Sequence, residues 1–285
     1  MSDPETHLPP EILDSIVELL CNEPEALKHC CLVSKPWVPR TRKYLFNNIR
    51  FNDAIDLKVW KKTFPDPANS PAYYVHSLLF GGQTTLTPAD LEESGWVRSF
   101  ANVVRLELWG DVTIDEPGLG PRLVLFGNLL PAIKSLRVVG LLSPSPQLID
   151  LVVSMPLLQD LDIMNFQAGS HDEVEDVPQP LASPVLTGTL VLRHRLEYVV
   201  CRLLHLPNGL NFKKLAFREC AEIDFRWVTA LAERSSGTLE YIGLDCWAFC
   251  KLSSPGPVTG LAPDVNFFVC ISEFCSNQLV ESNGT

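Results

Sequence analysis

No stretch of the 285-residue chain approaches the ~20 consecutive apolar residues that cross a bilayer. The start, Met1 to His7, is polar and acidic and has neither the basic nor the apolar region of a secretory signal. These absences predict a cytoplasmic or nuclear protein with no membrane partner. Positive charge is also scarce: 23 Lys and Arg against 34 Asp and Glu leave a net charge of −11. A phosphate backbone needs a basic surface, so no nucleic-acid partner is expected. Arg40, Arg42, Lys43 and Lys58, Lys61, Lys62 form two weak basic clusters that read as solvated helix faces. The nine cysteines contain no CxxC pair, and outside an oxidising compartment they are expected as reduced, buried thiols.

Catalytic signatures are missing as well. The six histidines are scattered, none in HExxH and none at zinc-ligand spacing from a cysteine. Gly81-Gly82 is not followed by a lysine–serine phosphate cradle, and there is no GxSxG nucleophile elbow. The carboxylates between His171 and Asp176 sit in a stretch spaced by Pro178, Pro180 and Pro184, expected as a mobile loop. A flexible segment is a poor place to tune a general acid. The sequence therefore predicts no enzyme, no metal and no cofactor.

What remains is a soluble, globular composition, 46% apolar and 20% charged. Leu8-Pro9-Pro10-Glu11 opens a first helix, since proline in the first turn loses no hydrogen bond. Ile12, Leu13, Ile16, Val17, Leu19 and Leu20 then spread over an arc wider than one core requires. A second helix follows Pro24, carrying Leu27, Cys30, Cys31, Leu32 and Val33, and a third starts at Pro36 or Trp37. Three short helices make a very small core. Their surplus apolar surface goes either onto the rest of the chain, as a helical cap, or into a partner.

The order Leu8-Pro9-Pro10-Glu11-Ile12-Leu13, Ile16, Leu19-Leu20, Cys31-Leu32-Val33-Ser34-Lys35-Pro36-Trp37, Arg42, Leu45-Phe46 resembles the F-box, over residues 8–51. The resemblance implies docking to the Skp-family adaptor, and through it to the cullin, of a ubiquitin ligase. It assigns that contact to Leu8, Pro9, Ile12, Leu13, Leu32, Val33 and Trp37. Pro36 departs from the commoner polar residue before the tryptophan.

Residues 52–72 read as one amphipathic helix, Asp56 to Phe64, and a proline-rich linker. Beyond it an apolar–x–x–apolar–x–apolar pattern recurs over residues 73–250. It occurs at Val75/Leu78/Phe80, Val103/Leu106/Leu108, Ile133/Leu136/Val138, Leu158/Leu161/Ile163, Phe212/Leu215/Phe217 and Leu239/Ile242/Leu244. At Leu190/Leu192 the first slot is filled by Thr187. Central residues are 25 to 30 apart, the period of stacked strand-plus-helix units. Helix starts are expected at Thr87-Pro88, Ser145-Pro146 and Asp224, and a helical stripe runs from Leu196 to Leu204. Phe212-x-x-Leu215-x-Phe217-x-x-Cys220 resembles a leucine-rich repeat. The expected class is α/β: a three-helix F-box followed by a leucine-rich-repeat-like strand/helix solenoid. The layout resembles the large F-box families of mushroom-forming fungi.

Residues 251–285 are expected as a C-terminal segment whose apolar run, Val265 to Ile271, pairs with or covers the last repeat. In each strand the residue between the second and third anchors faces out; these are Glu107, Arg137, Asp162, Val191, Ala216 and Gly243. Glu107, Arg137 and Asp162 are the candidate contacts to a target protein, though an idle solvent-facing sheet would look the same. Two functions are in view: the substrate receptor of an SCF-type ligase, and a repeat scaffold whose helical module is only a cap.

Overall fold

The computed structural model describes residues 9–83, 96–110, 123–140, 145–164, 184–193, 197–220, 225–247 and 266–272. Leu8, the expected helix start at 87–88, the acidic stretch 171–176 and the cap Asp224 lie outside these residues.

Three helices open the chain: α1 (Pro10–Leu19), α2 (Pro24–Val33) and α3 (Trp37–Leu45). α1 and α2 begin with a proline in the first turn, where the missing N–H costs nothing. The third helix starts at Trp37, with Pro36 as its cap residue. Both α1 and α2 pack on α3.

A nine-stranded parallel sheet follows, its strands in the order of the sequence. The strands are β1 (Asn48–Asp53), β2 (Ser77–Gln83), β3 (Arg105–Trp109), β4 (Ser135–Val139), β5 (Asp160–Met164), β6 (Thr189–Arg193), β7 (Lys214–Cys220), β8 (Tyr241–Trp247) and β9 (Asn266–Ser272). Helix α4 (Ala54–Thr63) follows β1, and α5 (Leu123–Leu129), α6 (Ser145–Ser154), α7 (Glu197–Leu204) and α8 (Phe225–Arg234) lie between later strands. From α5 to α8 each helix packs against the next, so they line up along one face of the sheet. The fold is thus α/β, with N-terminal helices followed by a parallel sheet and its helices.

The alternation in each strand decides which face is covered. Leu78, Leu106, Leu136, Leu161, Leu190, Leu215 and Ile242 are aligned strand to strand and buried. Phe80, Leu108, Val138, Ile163, Leu192, Phe217 and Leu244 form a second buried row two residues on. Val75, Val103, Ile133, Leu158, Phe212 and Leu239 are buried just before their strands, as the pattern predicts. The exception is the unit around β6, where Leu186, not Thr187, is buried. One extra residue is accommodated there because the Asp160 carboxylate accepts from the Thr189 N–H at 2.7 Å, in place of a backbone carbonyl.

Two expectations are corrected at the start of the sheet. The stretch 48–51, read as the end of the helical module, is the edge strand of the sheet. The proline-rich stretch read as a linker folds into two 3-10 turns, Pro67–Asn69 and Pro71–Tyr74, capped by Asp66 and Ser70. Ser70, Pro71 and Ala72 are buried, and α3 packs against the second turn. Aromatic rings complete the junction: Trp60 lies 4.8 Å from Phe64, 5.8 Å from Phe51 and 6.1 Å from Phe46, between ring centroids. Among the described residues the buried Trp60 indole N–H has no partner. That costs about 1–3 kcal/mol, which ring packing and burial must offset. The helical module and the sheet therefore share a packed boundary.

At the other end, β9 pairs with β8 along its length, which is the contact expected of the apolar run after residue 264. The cysteines show a difference: Cys21, Cys30, Cys31 and Cys201 are free thiols but only half-buried. Cys31 lies 2.8 Å from the Thr41 hydroxyl, which also donates to the Trp37 carbonyl at 2.9 Å.

Packing between α5 and α6 is close enough to exclude a methyl group. A Cβ on Gly127 would stand 2.2 Å from the Ser154 carbonyl oxygen. Helix propensity alone would make Gly127→Ala stabilising by about 1 kcal/mol. The clash reverses the sign, and a net loss of roughly 1–3 kcal/mol is expected. A thermal melt of the variant decides between them: a raised midpoint would mean that the two helices are not in this contact.

Candidate binding surfaces

Two surfaces stand out, one on the helical module and one on the sheet. Inside the module only Leu13, Val17, Leu27 and Thr41 are buried. Its outside carries Ile12, Leu19, Leu32 and Val33, which are 47%, 84%, 83% and 67% exposed. Four large aliphatic side chains face solvent where the module encloses three apolar ones, so this core leaves much of the apolar surface its sequence supplies uncovered.

The residues assigned to adaptor contact thus separate. Pro9, Ile12, Leu32 and Val33 are exposed, and Trp37 is half-buried. Leu13 points into the module's own core and supports it from within. Leu19 is the most exposed of the set but is not among the assigned residues. Its helical position, three residues after Ile16, put it on the apolar arc, and only the packing of α1 on α3 shows which part of that arc stays free. The module is held by few polar links; the Arg40 guanidinium donates to Asp14 at 2.6 Å and to the Pro36 carbonyl at 2.9 Å, tying α3 to α1 and to the turn before it.

On the sheet, the face away from α5–α8 carries the residues between the anchors. Glu107, Arg137 and Asp162 are aligned on β3, β4 and β5. Arg137 lies 3.9 Å from Glu107 and 3.4 Å from Asp162, and Arg193 lies 3.4 Å from Asp162. Charges alternate along this line, and each carboxylate or guanidinium is already matched. The Arg137 Nε is buried and off the hydrogen-bond direction to Asp162, so their contact is an ion pair only. The Trp109 indole N–H donates to Glu107 at 3.2 Å, and the Arg137 guanidinium sits 5.9 Å from the centre of the Trp109 ring. Val191, Ala216 and Gly243 continue the line on β6 to β8.

The chain matches no protein-family model and no curated protein. Among the described residues no three His, Cys, Asp or Glu side chains gather as a metal site would need. No helix among them is long and apolar enough to cross a membrane.

A second row went unread in the sequence. Trp109, Val139, Met164, Arg193 and Arg218 are aligned on five successive strands, two residues beyond the charged line. The anchor pattern could have found it, because the position after the third anchor shares the face of the position before it.

The charged line is only partly exposed, with side-chain exposures of 15% to 32% for the paired residues. Pairs of this kind contribute up to about 1 kcal/mol each and weaken with salt. A double-mutant cycle on Arg137→Ala and Asp162→Ala should give a coupling of roughly 0.2–1 kcal/mol at low salt. A coupling of zero at low salt would show that the pair adds nothing to stability beyond its separate residues.

Proposed function

We propose that this protein is the substrate-recognition subunit of an SCF-type cullin–RING ubiquitin ligase. In this reading the helical module is an F-box that holds a Skp-family adaptor and, through it, the cullin. The parallel sheet and its helices are a leucine-rich-repeat-like solenoid that holds a target protein. The chain itself has no catalytic role and needs no cofactor. Its contribution is proximity, which turns the meeting of target lysine and conjugating enzyme into an effectively intramolecular step. It would act in the cytoplasm, the nucleus or both.

The observation that carries the reading is the mismatch inside the module: Ile12, Leu19, Leu32 and Val33 face out while Leu13, Val17 and Leu27 alone fill the apolar interior. A mere cap would turn its surplus inward, onto the sheet. Support for the solenoid comes from strand order and period: every strand pairs with its sequence neighbours, and the central anchors recur every 25 to 30 residues. Such an array is built from contacts between adjacent units.

The test is capture of a purified Skp-family adaptor by the purified full chain. Buried anchors at interfaces are worth ~2 kcal/mol or more each, and 1.4 kcal/mol is about tenfold in affinity. Ile12→Asp with Leu32→Asp should therefore weaken capture by roughly a thousandfold. Both side chains are exposed, so circular dichroism should show the fold intact. Leu13→Ala is a poor probe because Leu13 is part of the module's interior. If the wild-type chain captures no adaptor, the module is a cap and the protein a repeat scaffold without ligase function.

A further inference from the structure

Helix α4 buries one side and turns a mixed stripe outward. Leu57 and Trp60 are buried, and Phe64 closes that side against the Trp60 ring, 4.8 Å between centroids. The opposite side carries Ile55, Lys58, Val59 and Lys62, spaced i, i+3, i+4 and i+7, a single stripe about 100° wide. Ile55 is 66% and Val59 57% exposed, and both lysines are exposed. β-branched residues are poor helix formers, because the preceding turn restricts their side chains. On an exposed helix face they weaken the helix without gaining burial.

The lysines lack partners as the aliphatics lack cover. The helix's carboxylate, Asp56, and its cap, Asp53, are both engaged at its start. Asp53 accepts from the Ile55 and Asp56 N–H groups at 2.7 and 3.0 Å, and Asp56 accepts from the Asn52 N–H at 2.8 Å. Among the described residues neither Lys58 nor Lys62 has a carboxylate partner. In a chain of net charge −11 the stripe is a positive spot with no counter-charge on its own helix. Its opposite side is held by Leu57, Trp60 and Phe64, so the stripe is presented in one orientation. Groups held in position before binding lose less freedom when a partner arrives.

We propose that this stripe docks an amphipathic helix of a partner protein, one whose apolar residues are flanked by Asp or Glu. Charge complementarity selects the carboxylates: ammonium groups form charge-assisted hydrogen bonds with them and repel cations. Ile55 and Val59 select the apolar residues, and their contact excludes water, which strengthens the pairing beside it. Spacing selects a helix, since i, i+4 rows of one helix pack into the grooves between the same rows of another. Ile55 to Lys62 is a rise of about 10 Å, two turns of the partner. The chain's overall negative charge does not oppose this contact, because charges more than ~8 Å apart are screened at physiological salt. A second copy of this chain packing α4 on α4 would set lysine against lysine, so the occupant is a different, acidic helix. The inference goes beyond the ligase reading and does not depend on adaptor binding.

The experiment pans displayed helix-forming peptides, randomised at i, i+3, i+4 and i+7 in an alanine-rich frame, against the immobilised full chain at about 0.15 M salt. Recovery of peptides that pair aliphatic residues with Asp or Glu on one face is the expected result. Ile55→Gln with Val59→Gln should weaken binding of the recovered peptides by about tenfold or more, as loss of interface anchors does. Both side chains are exposed and glutamine is the better helix former, so the thermal midpoint should not fall. Lys58→Glu with Lys62→Glu should replace the acids in the recovered set by Lys or Arg. The proposal is overturned if nothing is recovered, if the recovered set lacks the acids, or if the variants leave binding and charge preference unchanged. Two other occupants are read on the same preparations. Sedimentation of the chain with phosphatidylcholine vesicles holding about one-third phosphatidylserine, abolished by the lysine variant, would assign the stripe to an anionic membrane and overturn the proposal. Adaptor capture should survive Ile55→Gln with Val59→Gln; its loss would make the stripe part of the adaptor contact and overturn the proposal as well.

Discussion

A parallel strand can meet its neighbour only after the chain has crossed back over the sheet. In this protein that crossing is repeated from β1 to β9 without one strand out of order. The constraint accounts for most of what is seen. Crossings that carry helices place them side by side along one face, and that face needs an apolar lining on every strand. Among the described residues the opposite face receives no helix, and it carries the charged line. The aligned rows of buried aliphatics and the aligned row of ion pairs are two sides of the same alternation.

Much of this was legible because a strand's alternation is local. Seven anchor sets, from Val75/Leu78/Phe80 to Leu239/Ile242/Leu244, name seven strands and their inward residues. What failed to show has a common cause, which is that the deciding partner lies far away in sequence. Asn48–Asp53 has one aromatic, Phe51, among polar neighbours, and becomes a strand because β2 offers it a ladder. Leu186 displaces Thr187 because the Asp160 carboxylate, from the previous strand, takes over a backbone hydrogen bond. The proline-rich stretch after α4 has the composition of a linker, but its Asp and Ser side chains cap tight turns that α3 then covers.

For the candidate surfaces the same split holds. The apolar surplus of the first three helices is a matter of counting and could be read directly. Which side chains carry it could not, since Leu13 and Ile12 are adjacent and packing against α3 turns one in and leaves the other out. On the sheet, Glu107, Arg137 and Asp162 were found as outward residues. Their mutual neutralisation depends on strand register, which places Arg137 between two carboxylates from strands on either side.

The aromatic junction of Phe46, Trp60, Phe64 and Phe51 packs the end of α3 against α4 and the first strand. With that end clamped, strand number becomes a ruler. Each strand is a step of about 4.8 Å away from the clamp, so a molecule gripped at β6 is held about 14 Å farther out than one gripped at β3. Lengthening or shortening the array by one unit would shift whatever is gripped beyond it by one step without altering the grip. The distance of an outer strand from the junction is therefore set by strand number, and the chemistry it displays by its own side chains.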